Sequence, residues 1–154
     1  MGVRAWSFAF VSVFVGVVAV GVPTGAATAT WRVVNSPAPV GSQSTTMTGV
    51  ACPAANECVA VGYVFFPKSS GSGPLIDQWN GVRWTPSLGA PGVYGDLAGV
   101  ACPSVQNCVA VGSDRSVPLI EHWNGSAWSV EPSPTPKGAD SAILNSVACV
   151  SATD

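Results

Sequence analysis

The stretch GVACPAANECVAVG, residues 49–62, recurs fifty positions later as GVACPSVQNCVAVG, residues 99–112. Each copy places two cysteines six positions apart, after Val-Ala and before Val-Ala-Val-Gly. A period near fifty residues is typical of chains built from stacked supersecondary units. The repeat therefore indicates the architecture of the chain before any single element is assigned.

The second half of the unit is repeated as clearly. PLIDQWNGVRW, residues 74–84, recurs as PLIEHWNGSAW, residues 118–128. The copies differ in length only in one connection, residues 63–73 in the first and 113–117 in the second, and surface loops tolerate such differences. Partial copies flank the two units, since residues 31–52 align without a gap on residues 128–149.

Each unit is predicted to form four short strands. Residues 97–102 and 108–112 are apolar runs joined by a Pro/Ser/Asn loop, which favours a hairpin. A disulfide between Cys102 and Cys108, or between Cys52 and Cys58, would close that hairpin. The chain-entropy model gives such a short loop roughly 2–2.5 kcal/mol of stabilisation.

A second hairpin is predicted at Asn80-Gly81 and at Asn124-Gly125, the turns that define the repeat. Asn-Gly is the preferred two-residue hairpin turn because both positions need positive φ. In the second unit this turn predicts three facing pairs: Trp123 with Ser126, His122 with Ala127, and Glu121 with Trp128. Glu121, Trp123 and Trp128 then share one face of the sheet.

Four short antiparallel strands in 44 to 50 residues are the layout of a β-propeller blade. The predicted fold is all-β: a partial β-propeller of four-stranded antiparallel blades, preceded by an N-terminal signal-peptide helix. The expected division is a signal peptide over 1–29, the final strand of a flanking blade plus linker over 30–46, blade repeat 1 over 47–88, blade repeat 2 over 95–131, a Pro-rich linker over 132–143, and the start of a truncated third repeat over 144–154.

The N-terminus has the layout of a secretory signal. Arg4 precedes an apolar run over 5–22, and small residues follow as far as Ala29. Export predicts a secreted, extracellular or cell-surface protein in an oxidising compartment, where disulfides persist; the membrane would be a partner only through an uncleaved signal segment. The net charge is −2 and no basic cluster is present, which argues against nucleic acid as a partner.

The number and spacing of the cysteines favour disulfides over a metal site. Five residues separate the members of each pair, and the chain holds one histidine, so no metal site and no cofactor are predicted. Cys149 is expected to be unpaired, because its partner would lie one position beyond Asp154. A truncated repeat accounts for that odd cysteine.

The two motifs together resemble those of secreted bacterial β-propeller repeat proteins, broadly kelch-like. The Trp-Asn-Gly-x2-Trp turn is also similar to the Asp-box of sialidase-like propellers, although Trp79 and Trp123 stand in place of its Asp, and Arg83 and Ala127 in place of its Thr. The resemblance implies a propeller with several more blades, and it implies no particular activity. Further blades or self-association are therefore expected.

The chemistry-bearing residues give no catalytic set. Asp77 and Glu121 occupy equivalent positions, and paired carboxylates can cut glycosidic bonds. Matched positions in successive units more often serve the unit, for example by accepting a hydrogen bond from a turn. His122 corresponds to Gln78 and has no nucleophile beside it in the sequence, so a solvent-facing strand position is expected.

Aromatic residues are the candidate ligand contacts. Tryptophans either stack on sugar rings or pack between units, and packing is the more common role. The candidates are Trp79 and Trp123 in the repeat, with Tyr63, Phe65 and Phe66 in the non-repeated loop. The predicted function is an exported non-catalytic module that binds an extracellular glycan or protein or contributes to surface structure; the alternative is a fragment of a carbohydrate-active propeller enzyme.

Overall fold

The computed structural model describes residues 32–68 and 71–151, and the signal segment predicted over 1–29 lies outside these residues. Within the described part the regular secondary structure is strand, which confirms the all-β prediction. No helix in this part is long and apolar enough to cross a membrane.

The described strands form two four-stranded antiparallel sheets, one for each sequence repeat. Sheet 1 has the order β1-β2-β3-β4 and sheet 2 the order β5-β6-β7-β8, so within each sheet every strand pairs with its neighbours in the chain. The bounds are Ser44–Ala54 (β1), Glu57–Phe66 (β2), Gly71–Trp79 (β3), Trp84–Leu88 (β4), Gly95–Ser104 (β5), Asn107–Asp114 (β6), Val117–Trp123 (β7) and Trp128–Glu131 (β8).

Each sheet has two chemically different faces, because successive strand residues alternate sides and ladder partners share a side. The valine face carries Val59, Val61 and Ile76 in sheet 1, and Val109, Val111 and Ile120 in sheet 2. The carboxylate face carries Leu75, Asp77 and Trp84 in sheet 1, and Leu119, Glu121 and Trp128 in sheet 2.

The core lies between the sheets, where the valine face of sheet 1 packs on the carboxylate face of sheet 2. Strand β5 contacts β1, β2 and β3. The buried cluster consists of Val59, Val61 and Ile76 from sheet 1 with Leu97, Cys108, Ala110, Leu119 and Trp128 from sheet 2. Burial of this apolar surface is the main stabilising contribution between the two units.

Glycine allows the two sheets to approach closely at the start of the repeat. A Cβ on Gly49 would stand 3.2 Å from the Cα of Gly99. Beside it, the Thr48 hydroxyl donates a 2.6 Å hydrogen bond to the carbonyl oxygen of Leu97. The glycine that opens each Gly-Val-Ala-Cys motif is therefore explained by backbone proximity.

The hairpin register differs from the predicted one by two positions. Trp123 pairs with Trp128, His122 with Ser129, and Glu121 with Val130, so the predicted pairs are wrong. The loop has four residues, because Asn124 Oδ1 accepts 3.0 Å hydrogen bonds from the backbone N–H groups of Ser126 and Ala127. A slip of two positions preserves the face of every side chain. Glu121, Trp123 and Trp128 therefore still share one face.

The described residues that flank the two sheets form no strand before Ser44 or after Glu131. Residues 32–43 form no strand, although the last strand of a flanking blade was predicted over 30–46, and β1 begins at Ser44. A strand needs a ladder partner, and no described strand pairs with this segment. Its Ser36 hydroxyl donates instead to the carboxylate of Asp77.

Residues 144–151 likewise form no strand, but they lie on sheet 2 as β5 lies on sheet 1. A Cβ on Gly99 would stand 3.2 Å from the Cα of Ser146, which repeats the contact of Gly49 with Gly99. The Leu144 N–H donates to the carbonyl oxygen of Gly112 at 3.1 Å. The third copy of the motif therefore begins with the same packing as the second.

Candidate functional site

Two disulfides close the first hairpin of each sheet. Cys52 joins Cys58 with an S–S distance of 2.04 Å, and Cys102 joins Cys108 at 2.02 Å. Cys149 is free and half-buried. Paired cysteines of this kind are consistent with an extracellular location.

The four turns at the disulfide end of the sheets form what we call the hairpin rim. Gly81 and Gly125 have φ values of 87° and 91°, which glycine adopts without strain. A Cβ on Gly81 would stand 3.1 Å from Cβ of Asn56, and one on Gly125 would stand 3.3 Å from Cβ of Gln106. Each repeat-defining turn therefore needs glycine both for its backbone and for its packing on the neighbouring turn.

A groove of about 380 Å³ opens at this rim between the two sheets, and we call it the tryptophan groove. Sheet 1 and its β3–β4 turn contribute Pro53, Glu57, Cys58, Val59, Gln78, Trp79 and Asn80. Sheet 2 contributes Val105, Gln106, Trp123 and Gly125. The lining thus combines aromatic and aliphatic surface with amide groups and one carboxylate.

At the second hairpin the two tryptophans differ in burial, whereas both tryptophans of the first hairpin are half-buried. Trp123 and Trp128 are ladder partners whose ring centroids lie 5.7 Å apart, and Trp79 and Trp84 lie 5.6 Å apart. Trp128 is 9% exposed and belongs to the core, whereas Trp123 is half-buried and borders the groove. Trp123 is therefore the aromatic side chain of sheet 2 that a ligand can reach.

Polar side chains lie on both walls of the tryptophan groove. Gln78 follows Ile76 on the valine face and is half-buried, and Gln106 of sheet 2 is exposed. Neither side chain hydrogen-bonds to another residue in the described part of the chain, so both can serve a ligand. Asn80 has a structural task, since its Oδ1 accepts the N–H groups of Val82 and Arg83 at 3.1 and 3.0 Å.

The aromatic residues of the non-repeated segment lie at the other end of sheet 1. Tyr63, Phe65 and Phe66 were predicted in a loop, but they belong to β2, where Phe66 pairs with Gly71. Most of the residues that lengthen the first repeat extend strands β2 and β3. Aromatic residues favour strands, and the segment that faces them can pair with them. The structure therefore separates these three candidates from Trp79 and Trp123, which lie at the hairpin rim.

Phe66 lines a second, more apolar groove of about 310 Å³. Its walls include Pro74, Leu88 and Tyr94, and the connector between the sheets completes it. The Arg115 guanidinium lies 4.3 Å from the centre of the Tyr94 ring, which is a cation–π contact. This groove shares no lining residue with the tryptophan groove.

Asp77 and Glu121 are buried acids that line neither groove. They are 1% and 0% exposed. Burial raises the pKa of both carboxyls, and hydrogen bonds oppose that rise only in part. Ser36 donates to Asp77, and the backbone N–H of Ala90 donates to Glu121 at 2.9 Å. Each acid therefore fastens the connector that precedes its own sheet.

The sequence did not predict which residues of the connectors would contact the two acids. Gly89 accommodates the acid of sheet 2, since a Cβ there would stand 2.5 Å from a carboxylate oxygen of Glu121. The segment before sheet 1, the connector between the sheets and the segment after sheet 2 each contain one turn glycine with φ near 83°: Gly41, Gly92 and Gly138. These glycines were the sequence feature that could have indicated related connectors. A proline lies one or two positions before each of these glycines.

His122 lies on strand β7 and contacts polar side chains of the neighbouring strands. The His122 Nε2 atom lies 3.2 Å from Asn107 Oδ1, and its Nδ1 atom lies 3.9 Å from Glu131. No group of three His, Cys, Asp or Glu side chains in residues 32–68 and 71–151 is placed to hold a metal ion. The arrangement of His122 is that of a polar strand residue bonded to its neighbours.

No protein-family model matches this chain, and neither a curated protein nor a solved structure matches it. A functional assignment therefore rests on the sequence repeat and on the contacts of the two sheets.

Proposed function

We propose that this chain is an exported β-propeller repeat module whose tryptophan groove binds a neutral oligosaccharide. Three features support treating each sheet as a blade. Each sheet is a four-stranded meander encoded by one repeat, opposite faces of successive units pack together, and residues 144–149 begin the next contact in the same way. Export is supported by the secretory layout of the N-terminal sequence and by the two disulfides.

The observation that carries the ligand class is Trp123 at the edge of a groove that also presents Gln78 and Gln106. A sugar ring has one face of C–H groups, which packs on an indole, and a rim of hydroxyls, which bond to amides. Small-molecule sites combine apolar walls with a few polar groups in this way. Glu57 supplies the one carboxyl group of the lining and no basic side chain lies beside it there, so the groove favours neutral over acidic sugars.

The alternative, a fragment of a carbohydrate-active enzyme, draws no support from the two buried acids. Asp77 and Glu121 hold Ser36 and Ala90 and lie outside both grooves. A glycosidase needs two carboxyls that flank a bound sugar. We therefore propose binding without hydrolysis.

The test is titration of the chain with cellotetraose, chitotetraose and maltotetraose, followed by tryptophan fluorescence and calorimetry. We expect saturable binding of at least one of them, with no release of shorter sugars. Trp123→Ala should weaken it about tenfold or more, because loss of an aromatic anchor commonly costs about 2 kcal/mol, and tenfold corresponds to about 1.4 kcal/mol.

The matched control is Phe66→Ala, which removes an aromatic side chain from the second groove at the opposite end of sheet 1. It should leave the sugar affinity unchanged. Disulfide mapping and thermal melts verify that both variants are folded. Equal affinities of the wild type and Trp123→Ala, or no binding of any of these sugars at millimolar concentration, would contradict the proposal.

A further inference from the structure

Equivalent positions on the two carboxylate faces differ greatly in exposure. Met47 is 41% exposed and Val50 is 63% exposed in sheet 1. Their counterparts in sheet 2 are Leu97, which is 0% exposed, and Val100, which packs against the core. The difference arises because sheet 1 covers the carboxylate face of sheet 2, while Met47 and Val50 are left on an open part of the same surface.

The valine face of sheet 2 is, conversely, less buried than the valine face of sheet 1. Val109 and Ile120 are half-buried, whereas their counterparts in sheet 1, Val59 and Ile76, are 8% and 0% exposed. The residue types are the same, and only the neighbouring sheet differs. Among the described residues, parts of both surfaces that form the inter-sheet interface are therefore exposed a second time, around Val50 on sheet 1 and around Val109 on sheet 2.

We propose that the carboxylate face of sheet 1 is a docking surface for the valine face of sheet 2 in a second copy of this chain. The occupant is identified by the interface inside the chain, where the same two surfaces already pack together. Val50 would enter the environment that Val100 has within one copy. Because the two surfaces differ, the contact is head-to-tail and extends from copy to copy. It does not depend on sugar binding in the tryptophan groove.

The segment 144–149 competes with the docking copy. Ser146 lies over Gly99 as Gly99 lies over Gly49, so this segment occupies the place that β1 of a second copy would take on sheet 2. Its position is supported by the hydrogen bond from the Leu144 N–H to Gly112. Docking of a second copy therefore displaces residues 144–149. A variant in which these residues bind sheet 2 less tightly should self-associate more strongly.

The first test is sedimentation velocity of the full chain, produced by secretion so that both disulfides form, over a range of concentrations. We expect association that Val50→Lys weakens about tenfold or more, because a lysine ammonium would be buried in an apolar contact. The matched control is Val82→Lys, since Val82 is 81% exposed at a hairpin loop and lies on neither face. A monomeric wild type at every accessible concentration, or equal effects of the two lysines, would overturn the proposal.

The second test separates a head-to-tail contact from a symmetric one. Val109→Lys should weaken self-association about tenfold or more, as Val50→Lys does, and a mixture of the two variants should form a 1:1 pair through the intact face of each. Failure of the mixture to pair would overturn the head-to-tail geometry. Should Val109→Lys fail to fold, Val109→Thr has nearly the same volume and adds a hydroxyl to the same face.

The third test addresses the competing segment. Leu144→Pro removes the N–H group that bonds to Gly112, because proline has no backbone donor. We expect this variant to associate several-fold more tightly than the wild type, with Val50→Lys again abolishing the gain. Unchanged or weaker association would show that residues 144–149 do not occupy the docking place.

Discussion

Sheets 1 and 2 have the same topology and nearly the same motif, yet equivalent residues differ in burial. Trp128 and Cys108 are buried, whereas Trp84 and Cys58 are only half-buried. The sheets differ in what lies against their carboxylate faces: sheet 2 has strands β1, β2 and β3 of sheet 1 there in addition to the connector at Ala90, while sheet 1 has the connector that carries Ser36. A residue in a repeat chain therefore derives its energetic importance from the neighbouring unit as much as from its own.

The largest effect should come from truncating the equivalent residues Leu97 and Met47. Leu97→Ala leaves a cavity in the inter-sheet core and should lower the free energy of unfolding by about 2–5 kcal/mol. Met47→Ala should lower it by about 1 kcal/mol or less, because Met47 is substantially exposed. Urea unfolding followed by tryptophan fluorescence measures both. Equal losses would mean that the sheets do not pack as described.

Gly89→Ala should be next in size, with a cost of about 1–3 kcal/mol from overpacking. The new Cβ would stand 2.5 Å from the Glu121 carboxylate, which is itself fastened to Ala90. Gly73→Ala is the matched control, because a Cβ there meets nothing within 4 Å. If thermal melts show the two variants to be equally stable, the close contact between Gly89 and Glu121 is wrong.

The two Asn-Gly loops should respond alike, since both are exposed and neither depends on the neighbouring sheet. Asn80→Ala and Asn124→Ala each delete a side chain that accepts two backbone N–H groups. Each should cost about 1 kcal/mol. Denaturant midpoints that differ strongly between the two would show that the loops are not equivalent.

The smallest effect is a pH dependence of stability that Glu121→Gln should remove. Burial raises the pKa of Glu121 above its ordinary value of 4.5, so the folded chain binds this proton more tightly than the unfolded chain does. The unfolding free energy of the wild type should therefore rise as the pH falls from neutral through the raised pKa, and this contribution is complete below 4.5.

Glutamine keeps an oxygen that can accept the Ala90 N–H and has no charge to lose, so the profile of this variant should lack the part of the slope that Glu121 contributes. Asp77→Asn should act in the same direction, because burial also raises the pKa of Asp77. Parallel pH profiles for the wild type and Glu121→Gln would show that this carboxyl does not titrate with folding.

The local pattern of the sequence was enough for the strands, the disulfides and the shared faces. Two cysteines six positions apart on adjacent apolar runs define a hairpin, and Glu121, Trp123 and Trp128 lie on one face as alternation predicts. The register of the Trp123–Trp128 hairpin was missed because Asn124 satisfies two loop N–H groups with its side chain. The preference of Asn-Gly for two-residue turns does not predict this four-residue loop.

Contacts between units were beyond a reading of the sequence alone. Glu121 meets Ala90, and Asp77 meets Ser36, across 31 and 41 positions of sequence, and the hydrogen bond to Glu121 uses a backbone group that every residue except proline has. The tryptophan groove likewise exists only where the two sheets meet. Trp79 and Trp123 could be named as aromatic candidates, but the pairing of Trp123 with Gln78 across a groove could not.

The most direct test of the stacking is the rate at which single cysteines at Met47 and Leu97 react with a maleimide. Met47→Cys and Leu97→Cys would be prepared in a Cys149→Ser background, with both disulfides intact, at concentrations too low for self-association. If the valine face of one unit covers the carboxylate face of the next, the Met47→Cys thiol reacts rapidly while the Leu97→Cys thiol reacts only through opening of the inter-sheet core. Equal reaction rates at the two positions would contradict that account.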